Sequence, residues 1–223
     1  MENSKPSEPK GTARLEALSD GIFAIGMTLL VLDIHVPESG ADASLTEALL
    51  ANWPNYLAFL VGFFTLLVCW INHHYMFEFI RKGDGVTLLL NGFKMLVVSF
   101  TPFATALFSR YFNTDNQQIA VSVYTGNFFM MGLSMTALWV YSQAKGFTVA
   151  ATNRELLLVT RLYILASVLA GAIFALSFLS VWASLALFVV MFGIFVFPRG
   201  LIRHVMQLED HEMSVEELAP PAE

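Results

Sequence analysis

Residues 14–33 read RLEALSDGIFAIGMTLLVLD and form the first long apolar stretch of the chain. Its head carries a charged and hydrogen-bonding cluster, made of Arg14, Glu16, Ser19 and Asp20. The twelve residues after Asp20 carry no charge, and Ile25, Leu29 and Leu32 recur at i, i+4 and i+7, the spacing of one helix face. Polar groups that enter a membrane are costly and usually face protein or water. The stretch therefore predicts a membrane-spanning helix with a polar mouth and an apolar stripe suited to line a gated path.

The composition is that of an integral membrane protein. Of the 223 residues, 56% are hydrophobic and 13% are charged, and the mean hydropathy is +0.62. A soluble domain carries about 25% charged residues. Much of the net charge of -6 comes from acidic residues after position 208, and the chain has no basic patch, which argues against nucleic acid as a partner. The single cysteine, Cys69, excludes a disulfide framework.

Apolar runs long enough to cross a bilayer predict six spans, since a spanning helix needs about 20 apolar residues. The last run is uncharged from residue 162 to residue 197. As a single helix it would be about 54 Å long, against a hydrocarbon core of about 30 Å. We therefore expect two helices there, with a turn within residues 177–184. The spans are 17–36, 53–79, 86–108, 119–141 and two within 156–197.

Basic residues collect on one side of this six-span arrangement. Nine of them fall there: Lys5, Lys10, Arg14, Arg81, Lys82, Lys145, Arg154, Arg199 and Arg203. The other side has Arg110 alone, so the positive-inside rule predicts that both termini are cytoplasmic. We expect three regions, namely a flexible cytoplasmic tail over residues 1–13, a transmembrane domain over 14–203 and an acidic cytoplasmic tail over 204–223.

The polar cluster of the first span has two interpretations. In one, Ser19 or Asp20 caps the start of the helix while Arg14 meets lipid phosphate. In the other, the three side chains form a buried cluster that ties the first span to its neighbours and holds it at a fixed angle.

The second span closes at the level of Asp20 with several polar side chains. His73 and His74 point about 100° apart on a helix, and no further ligand is spaced to complete a zinc site, so no metal is expected. A contact of a histidine with Asp20, or of Trp70 with Ser19, is the favoured interpretation. Histidine at this place could also confer pH sensitivity.

Polar residues in the later spans have less specific interpretations. Asn91, in the first half of the third span, is expected to make a hydrogen bond between helices. Lys94 and Arg161 lie in the cytoplasmic halves of their spans, where long cationic side chains snorkel toward the interface.

The Ile25, Leu29 and Leu32 stripe also has a plain structural interpretation, because apolar residues at helical spacing are usually packing. The chain has no TVGYG-like filter and no re-entrant loop of suitable length. If it forms a channel, the constriction is a hydrophobic ring made by one helix from each subunit. Small residues on the same helix permit close approach of neighbours: Gly21, Ala24, Gly26 and Thr28.

Three motifs occur together over about residues 12–200. The first is Arg14-x-x-x-Leu18-Ser19-Asp20, the second is Trp70-x-x-His73-His74-x-x-Phe77, and the third combines Asn91 with Ser99-Phe-x-Pro102-Phe. Together they resemble the motifs of the lysosomal potassium channel family, transmembrane protein 175, in its bacterial and archaeal branch. That family's first signature reads Arg-x-x-x-Phe-Ser-Asp, so Leu18 departs from it and puts the local aromatic packing in doubt.

The resemblance implies an all-α membrane protein with six transmembrane helices per subunit and a homotetramer in which helix one lines a central pore. It implies a passive, potassium-permeable cation channel, weakly to moderately selective over sodium. The expected setting is the plasma membrane of a bacterium or archaeon, with lipid and monovalent cations as partners. No enzymatic activity and no cofactor are expected beyond the permeant potassium ion.

The resemblance also implies roles for individual residues. Ile25, Leu29 and Leu32 would form the hydrophobic gate and filter, with Ile25 as the narrowest ring. The network that fixes the pore helix would comprise Arg14, Ser19, Asp20, Trp70, His73, His74 and Asn91. Charge alone suggests one more role: Asp33 at the end of the span, with Glu38, Asp42 and Glu47 in the loop that follows, would concentrate cations at the outer mouth.

Three other classes remain as alternatives, one of them a purely structural membrane protein, which the absence of any flux would favour. A secondary transporter of a small cation or molecule is disfavoured because the midplane is nearly free of charge and the chain shows no half-to-half repeat. A membrane-embedded enzyme built on His73, His74 and Glu78 is disfavoured because the chain has neither a His-Glu-x-x-His nor a Gly-x-Ser-x-Gly motif.

Overall fold

A computed structural model gives the structure of the chain and describes residues 10–35, 44–149 and 152–195. Within these residues the fold is a bundle of α-helices with one two-stranded antiparallel sheet. The elements are β1 (Lys10–Gly11), α1 (Ala13–Leu29) with a 3-10 turn (Leu30–Asp33), α2 (Leu45–Ala51), α3 (Trp53–Phe79), β2 (Lys82–Gly83), α4 (Gly85–Tyr111), α5 (Gln117–Ala144), α6 (Asn153–Ser177) and α7 (Val181–Phe195).

Four helical segments among the described residues are long and apolar enough to cross a membrane: Ala13–Asp33, Trp53–Phe79, Gly85–Tyr111 and Asn153–Ser177. The chain is therefore an all-helical, multi-pass membrane protein. α7 is apolar but shorter, and α5 is as long as α4 but less apolar. The turn between α6 and α7 falls at residues 178–180, inside the interval expected for it.

The lower hydropathy of α5 comes from its polar residues. These residues bond to neighbouring helices rather than facing lipid. Asn127 Nδ2 donates to Thr101 Oγ1 on α4 at 2.9 Å, and the Ser122 and Ser177 hydroxyls lie 2.8 Å apart between α5 and α6. Buried polar groups need such partners, since an unpaired one in an apolar bundle costs several kcal/mol. α5 consequently packs between α4 and α6 along their lengths.

Two features of the fold lie outside what the pattern of apolar runs predicts. The short helix α2 begins at Ser44, whose side chain accepts from the Glu47 amide while Glu47 accepts from the Ser44 amide. At the opposite end of the bundle, β1 pairs with β2, and Thr12 is buried. Residues 10 and 11, within the tail expected over residues 1–13, pair through their backbone with the α3–α4 connection.

Asp84 forms the start of α4 at this β1–β2 end. The Tyr141 hydroxyl donates to Asp84 Oδ2 at 2.7 Å, and the amides of Val86 and Thr87 donate to Oδ1 at 3.1 and 2.9 Å. Tyr141 first, and then the backbone donors, favour the ionised carboxylate and lower the pKa of Asp84 to about 2. One side chain therefore both caps α4 and ties it to α5.

The lowered pKa of Asp84 predicts a defined acid sensitivity. The folded value lies below the ordinary 3.8, so the stabilisation is full above that value and disappears as pH falls through about 2. Asp84→Asn keeps a cap but cannot ionise. The variant should unfold at a lower temperature than the natural chain, and the difference should be largest at pH 5 and shrink toward pH 2. Thermal unfolding in detergent across this range measures it, and Tyr141→Phe should shift the natural chain's transition to higher pH. A deficit that does not change with pH would contradict the assignment.

The bundle is tightest where α3 crosses α4 beside the 3-10 turn. A Cβ on Gly62 would lie 2.8 Å from Thr105 Oγ1, 2.9 Å from Thr105 Cγ2 and 3.1 Å from Leu30 Cδ2. These distances leave no room for a side chain at position 62, so glycine there allows α3 to approach α4 and the end of α1 closely.

Gly62→Ala should lower the free energy of unfolding by about 1–3 kcal/mol, the usual cost of overpacking. Gly193→Ala is the matched control, because a Cβ on Gly193 in α7 meets nothing within 4 Å in the described chain. Thermal unfolding of both purified variants checks the prediction. Equal effects of the two substitutions would mean that the contact at Gly62 relaxes without cost.

Candidate functional site

α1 has one buried face and one exposed face in the described chain. Leu15, Ser19, Phe23, Gly26 and Leu30 are buried at the spacing of a single helical stripe, and they pack against α3 and α4. The opposite side of the helix carries the apolar stripe identified in the sequence. α1 is therefore anchored by one side and displays the other.

The exposed stripe includes all three residues expected to form the gate. Ile25 is 59% exposed, Leu29 is 43% exposed and Leu32 is 70% exposed. α1 changes to a 3-10 turn at Leu30, and in a 3-10 helix residues three apart eclipse one another. Leu32 lies within this turn, three residues after Leu29. Thr28 lies on the same side, with its hydroxyl donating to the carbonyls of its own helix.

Leu18 lies on this stripe as well, seven residues before Ile25, and is 59% exposed. The family signature has Phe at this position, so the departure does not remove an aromatic side chain from the core of the subunit. The substitution changes a side chain on the exposed face of α1, the same face that carries Ile25.

The polar mouth of α1 binds α3 through Asp20. Trp70 Nε1 on α3 donates to Asp20 Oδ1 at 2.8 Å. The Trp70 ring also stacks on His74, with centroids 5.7 Å apart and an interplanar angle of 25°. The predicted contact between the two spans is present, but its expected pairing is wrong, because Trp70 bonds Asp20 and not Ser19.

Ser19 binds α4 instead. Asn91 Nδ2 donates to Ser19 Oγ at 2.9 Å, and Ser19 Oγ donates to the Leu15 carbonyl one turn earlier at 2.8 Å. Both side chains are fully buried. Asn91 is thus an interhelical hydrogen-bonding residue, and Ser19 and Asp20, adjacent in sequence, connect α1 to two different helices.

Lys94 is also buried with Ser19 and Asn91, and the sequence pattern did not predict this. Its Nζ bonds His73 Nδ1 and lies 5.6 Å from the centroid of the Phe23 ring on α1. The side chain is fully buried, so the expectation that it snorkels to the interface is wrong. The reason is its spacing, since Lys94 follows Asn91 by three residues and shares its inward face. That spacing was the signal available in the sequence.

The histidines differ in their surroundings. His73 is 1% exposed and packs its ring between Phe23 at 5.6 Å and Phe77 at 4.6 Å, whereas His74 is exposed beside Trp70. His73 therefore belongs to the buried contact between α1, α3 and α4. It lies in apolar surroundings that favour its pairing with Lys94.

The remaining candidates lie away from this group. Arg14 is exposed and is not joined to Ser19 or Asp20 in the part of the chain that the structure describes. Asp33 is half-buried at the end of the 3-10 turn, where His35 Nδ1 contacts its carbonyl at 3.0 Å. Asn52 Nδ2 donates to the His35 carbonyl at 3.3 Å and fixes this end to α3. Glu38 lies outside the described residues.

Together these contacts define what the site can do. Paired polar side chains at one end of α1 set its rotation, and an uncharged apolar face is displayed along the rest. Such a site offers neither a nucleophile beside a base nor a set of metal ligands. It positions a helix whose exposed face lies at membrane depth.

The fold defines the class as a multi-pass integral membrane protein. The family described as endosomal/lysosomal potassium channel TMEM175 matches residues 14–102. A potassium channel of Chamaesiphon minutus is 39% identical over 181 residues, which cover 79% of this chain and 89% of that one. The solved TMEM175 homologue from the same organism has a TM-score of 0.76 at 37% identity, over 83% of this chain and 96% of that one.

The chain belongs to the TMEM175 family, whose members are channels and not enzymes. An animal relative, the endosomal/lysosomal proton channel TMEM175 of Danio rerio, is 35% identical over 161 residues. These cover 68% of this chain but 30% of that relative, so the chain spans about a third of the animal protein.

The bond between Trp70 and Asp20 predicts coupled effects of mutation. Trp70→Phe and Asp20→Ala each remove the same hydrogen bond, so the double variant should lose less stability than the two single losses together. The expected coupling is about 0.5 kcal/mol or more. Unfolding of the four proteins in detergent gives the double-mutant cycle.

Trp53→Phe combined with Asp20→Ala is the control pair, because Trp53 lies at the opposite end of α3. Residues this far apart should give additive losses. Additivity in the Trp70 cycle as well would show that the hydrogen bond does not stabilise the protein.

Proposed function

We propose that the chain is the subunit of a homotetrameric, potassium-permeable cation channel in which four copies of α1 surround a central pore. The observation that carries the proposal is the exposure of Ile25, Leu29 and Leu32 on a helix whose other face is anchored by polar bonds. Membership of a potassium-channel family supports it.

The proposed gate is hydrophobic. Rings of Ile25, Leu29 and Leu32 around the axis would exclude water when narrow, and a dewetted constriction blocks ions without a charged barrier. Ile25 is the proposed narrowest ring. An ion passing such rings loses part of its hydration, which discriminates modestly between potassium and sodium. Passive flux that is weakly to moderately selective for potassium follows from this mechanism.

The polar contacts of α1 act as the positioning element of the pore helix. Asp20 with Trp70 and Ser19 with Asn91 fix the rotation of α1, and hence which side chains face the axis. His73 with Lys94 joins α3 to α4 beside Phe23 of α1. His74 belongs to this network in our proposal through its stacking on Trp70, and Arg14, exposed on α1, is included in the proposed network. A rotation of α1 by one residue, about 100°, would turn Ile25 away from the pore.

The proposed topology has six spans, α1, α3, α4, α5, α6 and α7, and an even number returns both termini to one side. Basic residues near β1, β2 and the start of α6 favour the cytoplasmic side for that end, in a bacterial or archaeal plasma membrane. Asp33 and Glu38 would then flank the outer mouth, where carboxylates attract cations.

Cation flux from liposomes containing the purified protein tests the function. A potassium gradient is imposed and followed with a proton-coupled dye, and the assay is repeated with sodium and with a large organic cation. Faster potassium than sodium flux, with the organic cation excluded, supports the channel. Saturable flux coupled to a second solute supports a transporter and contradicts it. The mass of the detergent-purified oligomer tests the tetramer.

Ile25→Asn should raise basal potassium flux at least about tenfold, because an amide wets a ring that an aliphatic side chain keeps dry. Leu165→Asn is the matched control, since Leu165 is half exposed on α6, outside the proposed pore. Both variants are measured in the same liposome assay at equal protein incorporation. Unchanged flux in Ile25→Asn, or an equal increase in the control, would show that Ile25 is not the gate.

A further inference from the structure

A crevice separates α3 from α6 on the side of the subunit away from α1. α3 packs mainly on α1 and α4, whereas α6 packs on α5 and α7, and the space left between them is partly open. The cavity within it has a volume of about 90 Å³. The Tyr163 hydroxyl of α6 donates to the Asn72 carbonyl of α3 at 3.3 Å and bridges the crevice.

The walls of the crevice are almost entirely apolar. α3, α5 and α6 each contribute two of the side chains that matter here: Val68 and Cys69, Met131 and Met135, and Val159 and Ala166. The three helices present them from three directions, so the space is a pocket within one subunit rather than a flat face. The flexible methionine side chains make one part of the wall deformable, and the small alanine side chain leaves more space in another part.

The crevice extends from Phe79 at the end of α3 to membrane depth. Cys69 and Ala166 are each ten or more residues from both ends of α3 and α6, which is about 15 Å along a helix. Both helices are long and apolar enough to cross a membrane. The mouth of the crevice therefore opens where the surroundings are lipid hydrocarbon and not water.

Water is a poor occupant of this space because it needs two to four polar partners, and apolar cavities of this kind stay dry. An empty cavity of this size is also costly, because its lining loses dispersion contacts. Hydrocarbon from the surrounding bilayer has the right chemistry and is present at high concentration. The chain's own last residues fit less well, since 204–223 carry six acidic side chains.

We propose that this crevice binds one acyl chain of a membrane phospholipid. The acyl chain inserts between α3 and α6 and contacts Met131 and Met135 on α5, which forms the floor of the crevice. Its site lies on the back of α3, since Val68 and Asn72 are on the face opposite Trp70 and Phe77. A bound acyl chain thus supports α3 from behind the polar group that holds α1. The proposal does not depend on ion conduction.

Photo-crosslinking of the full-length protein tests it. The protein is reconstituted with phosphatidylcholine that carries a diazirine in the middle of one acyl chain, irradiated, digested and mapped by mass spectrometry. Adducts are expected on Cys69, Met131 and Met135, all of them at most 9% exposed, in addition to those on the outer surface. Adducts confined to exposed side chains would overturn the proposal.

A filling variant gives the second readout. Ala166→Phe should reduce the adducts at Met131 and Met135 about tenfold, a loss of about 1.4 kcal/mol in binding free energy. Ala172→Phe, at an exposed position two turns further along α6, is the matched control and should leave them unchanged. Unchanged labelling in Ala166→Phe, or an equal loss in the control, would contradict a site in the crevice. If the crevice carries no adducts in the full-length protein but becomes labelled when residues 196–223 are deleted, the protein's own end is the occupant. That outcome would also overturn the proposal.

Discussion

The arrangement of this bundle depends on the cost of leaving polar groups unpaired in an apolar environment. Ser19, Asn91, His73 and Lys94 are each at most 1% exposed. Hydrocarbon offers them no hydrogen bond, so the partners of Asn91 Nδ2 and His73 Nδ1 come from neighbouring helices, while Asn91 Oδ1 and His73 Nε2 have no partner among the described residues. Asn91 bonds Ser19, and Lys94 bonds His73, at the place where α1, α3 and α4 meet. The Ser19–Asn91 bond to α4 and the Asp20–Trp70 bond to α3 restrict the rotation of α1, and with both formed Ile25 and Leu29 are displayed.

The same constraint organises the second half of the chain. Asn127 bonds Thr101, the Tyr124 and Thr65 hydroxyls lie 3.0 Å apart, and Ser122 bonds Ser177. Each bond joins α5 to a different neighbour. Apolar packing alone would allow the helices to slide and rotate against one another, since dispersion and lipid exclusion are not directional. Pairs of small polar side chains define the register that packing leaves open.

The sequence predicts the helices of this fold better than their contacts. Apolar length and charge distribution locate α1, α3 and α4, and helical spacing identifies the exposed face of α1. Which polar residues meet depends on where helices cross, and spacing within one helix does not contain that information. Hence Trp70 pairs with Asp20 rather than Ser19, and Lys94 turns inward rather than toward the interface. β1 has two residues and carries no periodicity, so its pairing with β2 could not be predicted.

The distribution of bonds along α1 bears on how the proposed gate would open. In the described chain, the side-chain bonds from α1 to other elements come from its first half, through Ser19 and Asp20. Beyond Phe23 the helix is held by apolar packing, with Gly26 against Leu66, and it ends in the 3-10 turn, where Leu30 is buried. Apolar contacts tolerate small displacements better than directional bonds do. Outward tilting of the second half about an anchored first half is therefore the less costly motion, and it would widen the rings of Ile25, Leu29 and Leu32 without breaking the polar network.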